Sequence, residues 1–258
     1  MKKIAILLSL IVSIGAQDYY LEFDGTNDYI EATDNSFPMG SEVRTAAMWI
    51  KTTQTGEKYF FSYGKNDTQY QRWSIGLSNG HNLVEFNNAS VHSEKIVNDG
   101  LWHHIAASYD GTNMNIYVDG AKESLSGDIN VTFDTKSSGK VLIGDNPDTS
   151  VPAGSYRFKG SIDEVSVFNK ALSADEILEL YKSGGGLNLT SNSEDYVSSS
   201  NLQAYWKFNE GTGTTVADAS GNSNTGIISG ATWKSNSVKN VPARYSTIQA
   251  AIDAASAE

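Results

Sequence analysis

The segment at residues 101–120 limits the possible folds more than any other part of the chain, because two β patterns and a turn follow one another in it. In its second arm, apolar Met114, Ile116 and Val118 alternate with more polar residues, and this period of two is typical of a strand with one buried face. The first arm carries apolar or aromatic residues on both faces, which indicates a central strand. Between the arms, residues 110–113 contain a glycine and side-chain acceptors of the kind that tight turns require. We therefore predict an antiparallel hairpin inside a sheet.

Short apolar runs of this kind recur along most of the chain, with about 8 to 12 residues between turn signals. Such spacing is typical of an all-β sandwich, and a single sandwich domain fits a length of 258 residues. The other predicted strands lie at residues 19–23, 28–32, 45–51, 58–63, 71–77, 82–86, 140–143 and 158–168.

One α-helix is predicted after the last of these strands. Ser173 and Glu176 stand at the N-cap and N3 positions of a capping box, in which each side chain binds the other residue's backbone N–H. Ile177, Leu180 and Tyr181 then form an apolar stripe at helical spacing, and three glycines follow where the helix should end. We expect this helix to cover one end of the sandwich.

The composition excludes several classes of function. A formal net charge of −11 disfavours binding to nucleic acid or to anionic membranes, because an acidic surface repels phosphate groups. The sequence contains no cysteine, so disulfides, thiolate catalysis and cysteine metal sites are ruled out. The histidines also lack the i, i+2 spacing by which two of them could hold one metal ion from a strand.

Residues 1–16 have the features of a secretory signal peptide. Two lysines precede an apolar run at residues 4–14, and small residues end at Ala16. A transmembrane anchor would need about 20 apolar residues, and Asp18 interrupts the run before that length is reached. We therefore predict a secreted protein, extracellular or at the cell surface, with a bacterial type of leader and no membrane span.

Three blocks of the sequence resemble the laminin-G-like jelly-roll domain of the concanavalin A-like lectin/glucanase superfamily. They read YLEFDGTNDYIEA at residues 20–32, WHHIAASYDGTNMNIYVDG at residues 102–120 and GSIDEVSVFNKALSADEI at residues 160–177, in the family's order. The resemblance covers residues 18–183. It implies a two-sheet antiparallel jelly-roll sandwich, to which the residues themselves add one short helix. Domains of this family serve mostly in binding and often hold a structural calcium ion.

The remaining chain divides into three segments. Residues 184–201 are polar and rich in serine, which is typical of a linker. Residues 202–236 resemble a segment that often follows such a jelly roll, and they also resemble the start of a second one. Because too few residues follow Trp233 for another sandwich, we predict β strands that dock on the first domain. Residues 241–258 resemble the start of a β-helix of the pectate-lyase-like class.

Four oxygen-bearing side chains are candidate ligands of a structural calcium ion: Asp24, Asn27, Asp28 and Asp163. Hard cations prefer several oxygen ligands from carboxylates, amides and backbone carbonyls, and turns supply such carbonyls. The resemblance implies that the first and last strands of the domain are neighbours, so that these four side chains would meet. A bound cation would then remove the repulsion between their carboxylates and stabilise the fold. The alternative is that these residues serve only their own turns.

Aromatic side chains are candidates to stack on the ring of a bound sugar. Most of them alternate with apolar neighbours and are predicted to pack in the core. Tyr70 and Trp73 stand near a polar loop, and we expect them to be exposed and to contact a glycan. The full set considered is Trp49, Tyr63, Tyr70, Trp73, Trp102, Tyr109 and Tyr117.

The sequence does not offer the carboxylate pair of a glycoside hydrolase. Such an enzyme needs two carboxyl groups about 5 to 9.5 Å apart across a cleft, which on one strand requires residues at i and i+2. Asp163 and Glu164 are adjacent, so they should point to opposite faces of their strand. We therefore predict that the chain is not an enzyme.

These expectations together favour a secreted, non-catalytic module of a larger extracellular protein that binds carbohydrate or mediates adhesion. Its partner would be a polysaccharide or another glycan, or else a protein on a cell surface. One alternative is the targeting domain of a polysaccharide lyase or hydrolase whose catalytic β-helix lies beyond residue 258. A structural spacer in a surface protein is the third reading.

Overall fold

A computed structural model of the chain describes residues 18–67, 70–86, 89–127, 132–148, 152–184 and 186–236. The predicted signal peptide at residues 1–16 and the predicted β-helix start at residues 241–258 lie outside the described residues. Within these ranges, no helix is long and apolar enough to cross a membrane.

Two antiparallel sheets, which we call sheet A and sheet B, form the body of the protein, so the predicted all-β sandwich is confirmed. The order of strands in sheet A is β10 (Ala121–Lys122), β9 (Met114–Val118), β8 (Trp102–Tyr109), β3 (Arg44–Lys51), β13 (Lys159–Phe168), β1 (Asp18–Asp24) and β17 (Thr232–Asn236). A further strand, β14 (Leu202–Trp206), pairs with the C-terminal half of β13, beyond the part that β1 occupies.

Sheet B is built in the same way from shorter strands. Its order is β11 (Leu125–Gly127), β7 (Ser90–Ile96), β6 (His81–Glu85), β5 (Arg72–Ser78), β4 (Lys58–Gly64), β12 (Val141–Ile143), β2 (Tyr29–Ala32), β16 (Gly226–Ser229) and β15 (Thr215–Val216). Each neighbouring pair is antiparallel, both where consecutive strands pair, as from β4 to β7, and where strands far apart in the chain pair, as β12 with β2.

The predicted hairpin is formed by β8 and β9, in which Ala106 lies opposite Tyr117. β8 also pairs with β3 along its whole length, from Trp102 opposite Lys51 to Tyr109 opposite Arg44. It is therefore an inner strand of sheet A, as its two apolar faces predict.

The main core lies between the two sheets and is filled by alternate residues of their strands. In sheet A these include Phe23, Ile50 and Ile162, and sheet B contributes Phe61 and Trp73, all of them almost completely buried. Because side chains alternate across a strand, the residues between these positions in sheet A face outward. This outer face carries the features described in the next subsections.

A second apolar cluster covers part of that outer face. The helix α1 (Ala174–Lys182) and the segment that follows it pack there on small and aromatic residues of β3, β8, β9 and β13. Its members are Ala47, Ala106, Tyr117, Phe168, Leu172, Ile177, Leu180, Leu189, Tyr196, Leu202 and Tyr205.

Two expectations need correction at this cluster. The helix covers a face of sheet A rather than an end of the sandwich, because β3 and β8 are apolar on both sides and their outer side must also be shielded from water. Residues 184–201 are not a simple linker, since Leu189 and Tyr196 are buried in the cluster and the Tyr196 hydroxyl donates to the Leu189 carbonyl.

The predicted capping box of α1 is confirmed and extends into a larger network. The Glu176 backbone N–H donates to Ser173 Oγ at 3.2 Å, and the Ser173 N–H donates to Glu176 Oε2 at 3.0 Å. Lys170 Nζ lies 3.1 Å from the same carboxylate, and the Ser198 hydroxyl also donates to it. The buried Glu176 side chain thus connects the start of α1 to Ser198, in the segment that follows the helix.

Residues 202–236 contribute strands to both sheets. β14 and β17 extend sheet A, while β15 and β16 extend sheet B beyond β2. Trp206, at the end of β14, is completely buried in the main core, and its indole N–H donates to the Asn224 carbonyl at 2.8 Å. The segment therefore shares the hydrogen bonds and the core of the preceding domain.

Candidate functional site

The outer face of sheet A has a covered part and an open part. The cluster around α1 covers the region near the C-terminal half of β13 and β14. The open part lies toward the opposite end of the strands, where β1 and β3 end and where β8 and β13 begin. Five strands thus supply side chains to one continuous surface: β17, β1, β13, β3 and β8.

Two aromatic rings meet across this open surface. Tyr20 on β1 and Trp102 on β8 are both partly buried, and their rings contact edge to face with centroids 5.3 Å apart. β13 and β3 lie between their strands, so the two backbones are about 14 Å apart at about 4.8 Å per strand. Both side chains must therefore extend along the sheet surface over the intervening strands.

A groove of about 570 Å³ lies next to this ring pair along the strands, and neither Tyr20 nor Trp102 is among its lining residues. Glu22, two residues after Tyr20 on the same face, lines the groove, as does Lys51, which lies opposite Trp102 in the sheet. The volume lies within the range of small-molecule binding sites. The other lining residues come from strand ends and adjoining turns: Phe23, Asp24, Asn27, Asp28, Thr52, Thr53, Gly100, Lys159, Gly160, Ser161, Gly230 and Thr232.

The carboxylates of the groove already have partners. Glu22 forms an ion pair with Lys234 at 3.0 Å, and both side chains are about half exposed. Asp24 Oδ1 accepts from the Thr26 N–H at 2.6 Å, and Asp28 Oδ2 accepts from the Asp24 N–H at 2.7 Å. Burial, together with the Asp24 charge, raises the pKa of Asp28 above its ordinary value although the Asp24 N–H opposes this. The two aspartates therefore hold the β1–β2 turn in shape.

The four predicted calcium ligands do not all come together. Asp24, Asn27 and Asp28 line the groove, but Asp24 lies opposite Lys159, and Asp163 stands four residues farther along β13. That separation is about 13 Å along a strand, and Asp163 does not line the groove. Among the described residues, no group of three or more Asp, Glu or His side chains could hold a metal ion. Including Asp163 was wrong, whereas calcium at the other three residues stays a prediction.

A β-bulge in β13 corrects a second expectation about Asp163 and Glu164. Asp163 lies opposite Trp49 and Ser166 opposite Ala47, so β13 has one residue more than β3 in this interval, and Glu164 has φ of 52°. The residues on either side of the pair, at 162 and 165, both point into the main core. Asp163 and Glu164 therefore both face outward, and the expectation that they point to opposite faces was wrong.

Neither of these two carboxylates is open to a substrate. The Tyr205 hydroxyl donates to Glu164, and burial and this carboxylate raise the pKa of Tyr205 well above its usual range. Asp163 is buried beside Tyr20, whose pKa is raised by burial, with smaller contributions from the Glu22 and Asp163 charges. The pair is thus enclosed by tyrosines at the boundary between the covered and the open surface.

The predicted glycan contacts Tyr70 and Trp73 lie elsewhere. Trp73 is completely buried in the main core, where its ring packs edge to face on Tyr63 at 5.7 Å, so its expected exposure was wrong. The reason is that β5 is an inner strand of sheet B with both faces covered. Tyr70 is partly buried and packs against Phe86 at 6.0 Å. It does not line the groove.

The ring pair Tyr20 and Trp102 was not selected from the sequence. Trp102 belongs to the first arm of the hairpin, whose two faces both appear apolar, and Tyr20 has apolar or aromatic neighbours on both sides. What sets them apart is their position on the open part of the outer face, which depends on where α1 packs. A signal for the groove does exist in the sequence, since alternating Glu22 and Asp24 mark the outward face of β1.

The fold is similar to several solved structures. A candidate carbohydrate-binding protein from Bacteroides ovatus superposes with a TM-score of 0.64 at 20% identity, and the match covers 87% of this chain and 61% of that one. A heptameric pentraxin from Limulus polyphemus gives 0.54 at 14% identity, covering 84% of this chain and 96% of that one. The CBM40 module of a Ruminococcus gnavus sialidase, solved with α2,3-sialyllactose, gives 0.50 at 18% identity, covering 64% and 97%.

At such low identities these similarities establish the fold alone, and the chain spans only 61% of the length of the Bacteroides protein. The family model Laminin_G_3 matches residues 24–178, which is more than half of the chain. The matched region runs from the end of β1 into α1 and so includes most of both sheets. The chain therefore belongs to the laminin-G-like domains of the concanavalin A-like lectin/glucanases superfamily.

Proposed function

We propose that this chain is a non-catalytic carbohydrate-binding module whose binding site is the groove on the outer face of sheet A, together with the Tyr20–Trp102 ring pair. The observation that carries the proposal is the position of two partly exposed aromatic rings beside a groove of about 570 Å³ that is lined by both apolar and polar groups. Sugars have apolar ring faces and many hydroxyl groups, so they match a site that combines aromatic surface with a few placed polar groups.

The environment of the carboxylates supports binding rather than hydrolysis. A glycosidase needs two accessible carboxyl groups on either side of the scissile bond. Asp163 and Glu164 are buried, and Tyr205 donates a hydrogen bond to Glu164. The carboxylates that do line the groove at Glu22, Asp24 and Asp28 hold an ion pair or backbone N–H groups.

The proposal predicts that truncating the ring pair weakens sugar binding without unfolding the protein. Trp102→Ala and Tyr20→Ala should each lower affinity for the bound polysaccharide about 10-fold or more, as expected for central aromatic contacts. Affinity electrophoresis against a panel of plant, algal and host polysaccharides would identify the ligand and measure the change. Tyr70→Ala is the matched control, because Tyr70 is a partly buried aromatic residue that lies on neither the groove nor the ring pair and packs against Phe86 instead.

Retention of full affinity in both ring variants would contradict the proposed site. The absence of binding to every polysaccharide, combined with binding to a cell-surface protein, would instead favour adhesion through protein contacts. Circular dichroism spectra and melting temperatures must match those of the unchanged protein for either result to count.

We further propose that the module is secreted and acts as part of a larger extracellular protein. The leader-like residues 1–16 and the β-helix-like residues 241–258 support this context. The runner-up is a targeting domain of a polysaccharide lyase or hydrolase, in which the module would bind the polymer that a following catalytic domain cleaves.

Calcium at the β1–β2 turn is a separate part of the proposal. Asp24 and Asp28 each use one carboxylate oxygen for a backbone N–H, so one oxygen of each, the Asn27 amide and backbone carbonyls could serve as ligands.

At a tenfold excess over Kd, calcium would stabilise the fold by about 1.4 kcal/mol, or about 3–6 °C in melting temperature. Calorimetric scans with calcium and with chelator measure this difference, and Asp24→Asn should reduce it. A melting midpoint that is the same with calcium and with chelator would show that these residues serve only the turn.

A further inference from the structure

Two lysines in the groove have no carboxylate partner. Lys51 and Lys159 are exposed, line the groove, and have no ion pair within the described part of the chain. Lys51 lies opposite Ser161, and Lys159 stands two residues before Ser161 on the same face of the neighbouring strand. Diagonal neighbours of this kind have backbones about 7–8 Å apart. Their two ammonium groups can therefore approach one ligand together.

The charged side chains of the groove are of two kinds: the carboxylates already bind partners, and two lysines form no ion pair with any described residue. Glu22 is neutralised by Lys234 at 3.0 Å, and the turn aspartates Asp24 and Asp28 accept backbone N–H groups. With no ion pair in the part of the chain that the structure describes, the exposed ammonium groups of Lys51 and Lys159 can donate to solvent or to a ligand. Hydroxyl groups of Ser161 and Thr232 line the same space. The groove thus offers two ammonium groups without an ion pair among the described residues, next to the Asp24 carboxylate that lies opposite Lys159.

We infer that the groove selects a saccharide that carries an anionic group, a carboxylate or a sulfate, held between Lys51 and Lys159 beside the Tyr20–Trp102 rings. This inference rests on the proposed carbohydrate-binding function and specifies its ligand class. An ammonium group contributes a charge-assisted hydrogen bond to an anionic sugar that it cannot offer to a neutral one.

The acidic character of the whole protein disfavours the binding of anionic glycans anywhere outside the groove. With a net charge of −11, the surface as a whole repels polyanions, so binding by general electrostatic attraction is disfavoured. At physiological ionic strength such repulsion is screened beyond about 8 Å, whereas direct contacts with the two lysines remain. An anionic glycan should therefore bind only through the groove.

The test compares uronate polysaccharides, such as polygalacturonate, alginate and hyaluronan, with their carboxyl-reduced forms, which keep the sugar and lose the charge. At least one uronate polymer should bind about tenfold more tightly than its reduced form in affinity electrophoresis. Lys51→Gln and Lys159→Gln should each weaken that binding about threefold to fivefold, the range expected of exposed ion pairs. Lys122→Gln is the matched control, because it removes the same charge from β10 at the far edge of sheet A.

Dextran sulfate and dextran form a second arm that separates the two anionic groups. Competition by dextran sulfate would identify charge as the shared feature, and its failure would identify the carboxylate. Equal binding of the uronate and reduced forms would overturn the inference while leaving the proposed function intact, as would a uronate preference that survives both lysine substitutions. If no polysaccharide binds at all, the proposed function fails and this inference fails with it.

Discussion

Replacing Trp206 by alanine is expected to lower the free energy of unfolding by about 3–5 kcal/mol, the usual cost of removing a buried tryptophan. Trp206 is completely buried in the main core, and its ring lies 6.4 Å from Phe37 and donates to the Asn224 carbonyl. The substitution would leave a cavity in the core and an unpaired carbonyl. The melting temperature should fall by about 6–20 °C, which thermal or urea unfolding measures.

This prediction tests whether residues 202–236 are an integral part of the domain. Ile227→Ala is the control within the same segment, because Ile227 is 62% exposed and its loss should change stability by less than about 0.5 kcal/mol. If Trp206→Ala had an effect as small as Ile227→Ala, the segment would be loosely attached. Deletion of residues 202–258 should likewise lower the melting temperature of the remaining chain.

Substitution of Asp119 should produce the second large effect, a loss of about 2–3 kcal/mol at pH 7 through its charge-assisted hydrogen bonds. Asp119 Oδ2 lies 3.0 Å from His103 Nδ1 and 2.7 Å from Lys95 Nζ, and Oδ1 accepts from the His104 N–H at 3.0 Å. Asp119→Asn is the suitable change, since Asn also tolerates the positive φ of 53° at this turn. Urea unfolding of both proteins measures the loss.

The same substitution should change how stability depends on pH. Although burial alone would raise it, the His103 and Lys95 contacts lower the pKa of Asp119 to about 2, so its contribution is present above pH 4 and is lost as the pH falls toward 2. Burial would lower the pKa of His103, but Asp119 and Asp99 raise it above its ordinary value. Its contribution is therefore complete below about pH 6.5 and is lost as the pH rises through the raised value.

Asp119→Asn should consequently flatten both slopes of the stability profile, the acidic one and the one above pH 6.5. Asp67→Asn serves as the control, because Asp67 is 70% exposed and pairs with Lys65 only at 3.7 Å. A profile for Asp119→Asn that runs parallel to that of the unchanged protein would exclude the proposed role of this cluster.

The parts of the fold that depend on local pattern could be predicted from the sequence. The β8–β9 hairpin is defined by alternation and by turn residues, and the capping box of α1 by Ser173 and Glu176 at fixed spacing. In both cases the interacting groups are close along the chain. The sequence pattern therefore contains all of the partners that decide the structure.

Features that depend on a neighbouring strand could not be predicted in the same way. The bulge at Asp163 and Glu164 is defined by the pairing of β13 with β3. Between the positions opposite Trp49 and Ala47, β13 has one residue more than β3. Trp73 follows a polar stretch, yet its strand is covered on both sides by β4, β6 and the opposite sheet. Burial of a single residue thus depended on strand order, which one sequence does not specify.

The candidate site was only half predictable for a related reason. The turn residues Asp24, Asn27 and Asp28 were found because carboxylates and amides cluster in the sequence, and they do line the groove. Tyr20 and Trp102 lie far apart in the chain. Their rings meet because β1 and β8 belong to the same sheet, with two strands between them, and both side chains extend across its outer surface. Their open position depends on α1 covering the rest of the sheet.

Sugar binding on the open outer face of sheet A can be located residue by residue with heteronuclear NMR. Titration with an oligosaccharide of the selected polymer should shift the backbone N–H signals of residues 20–24, 51–53, 100–102 and 159–161, which surround the groove and the ring pair. Shifts confined to the loop pocket of about 180 Å³ lined by residues 145–148 and 152–156, or to Tyr70 and its neighbours, would exclude sugar binding on this face.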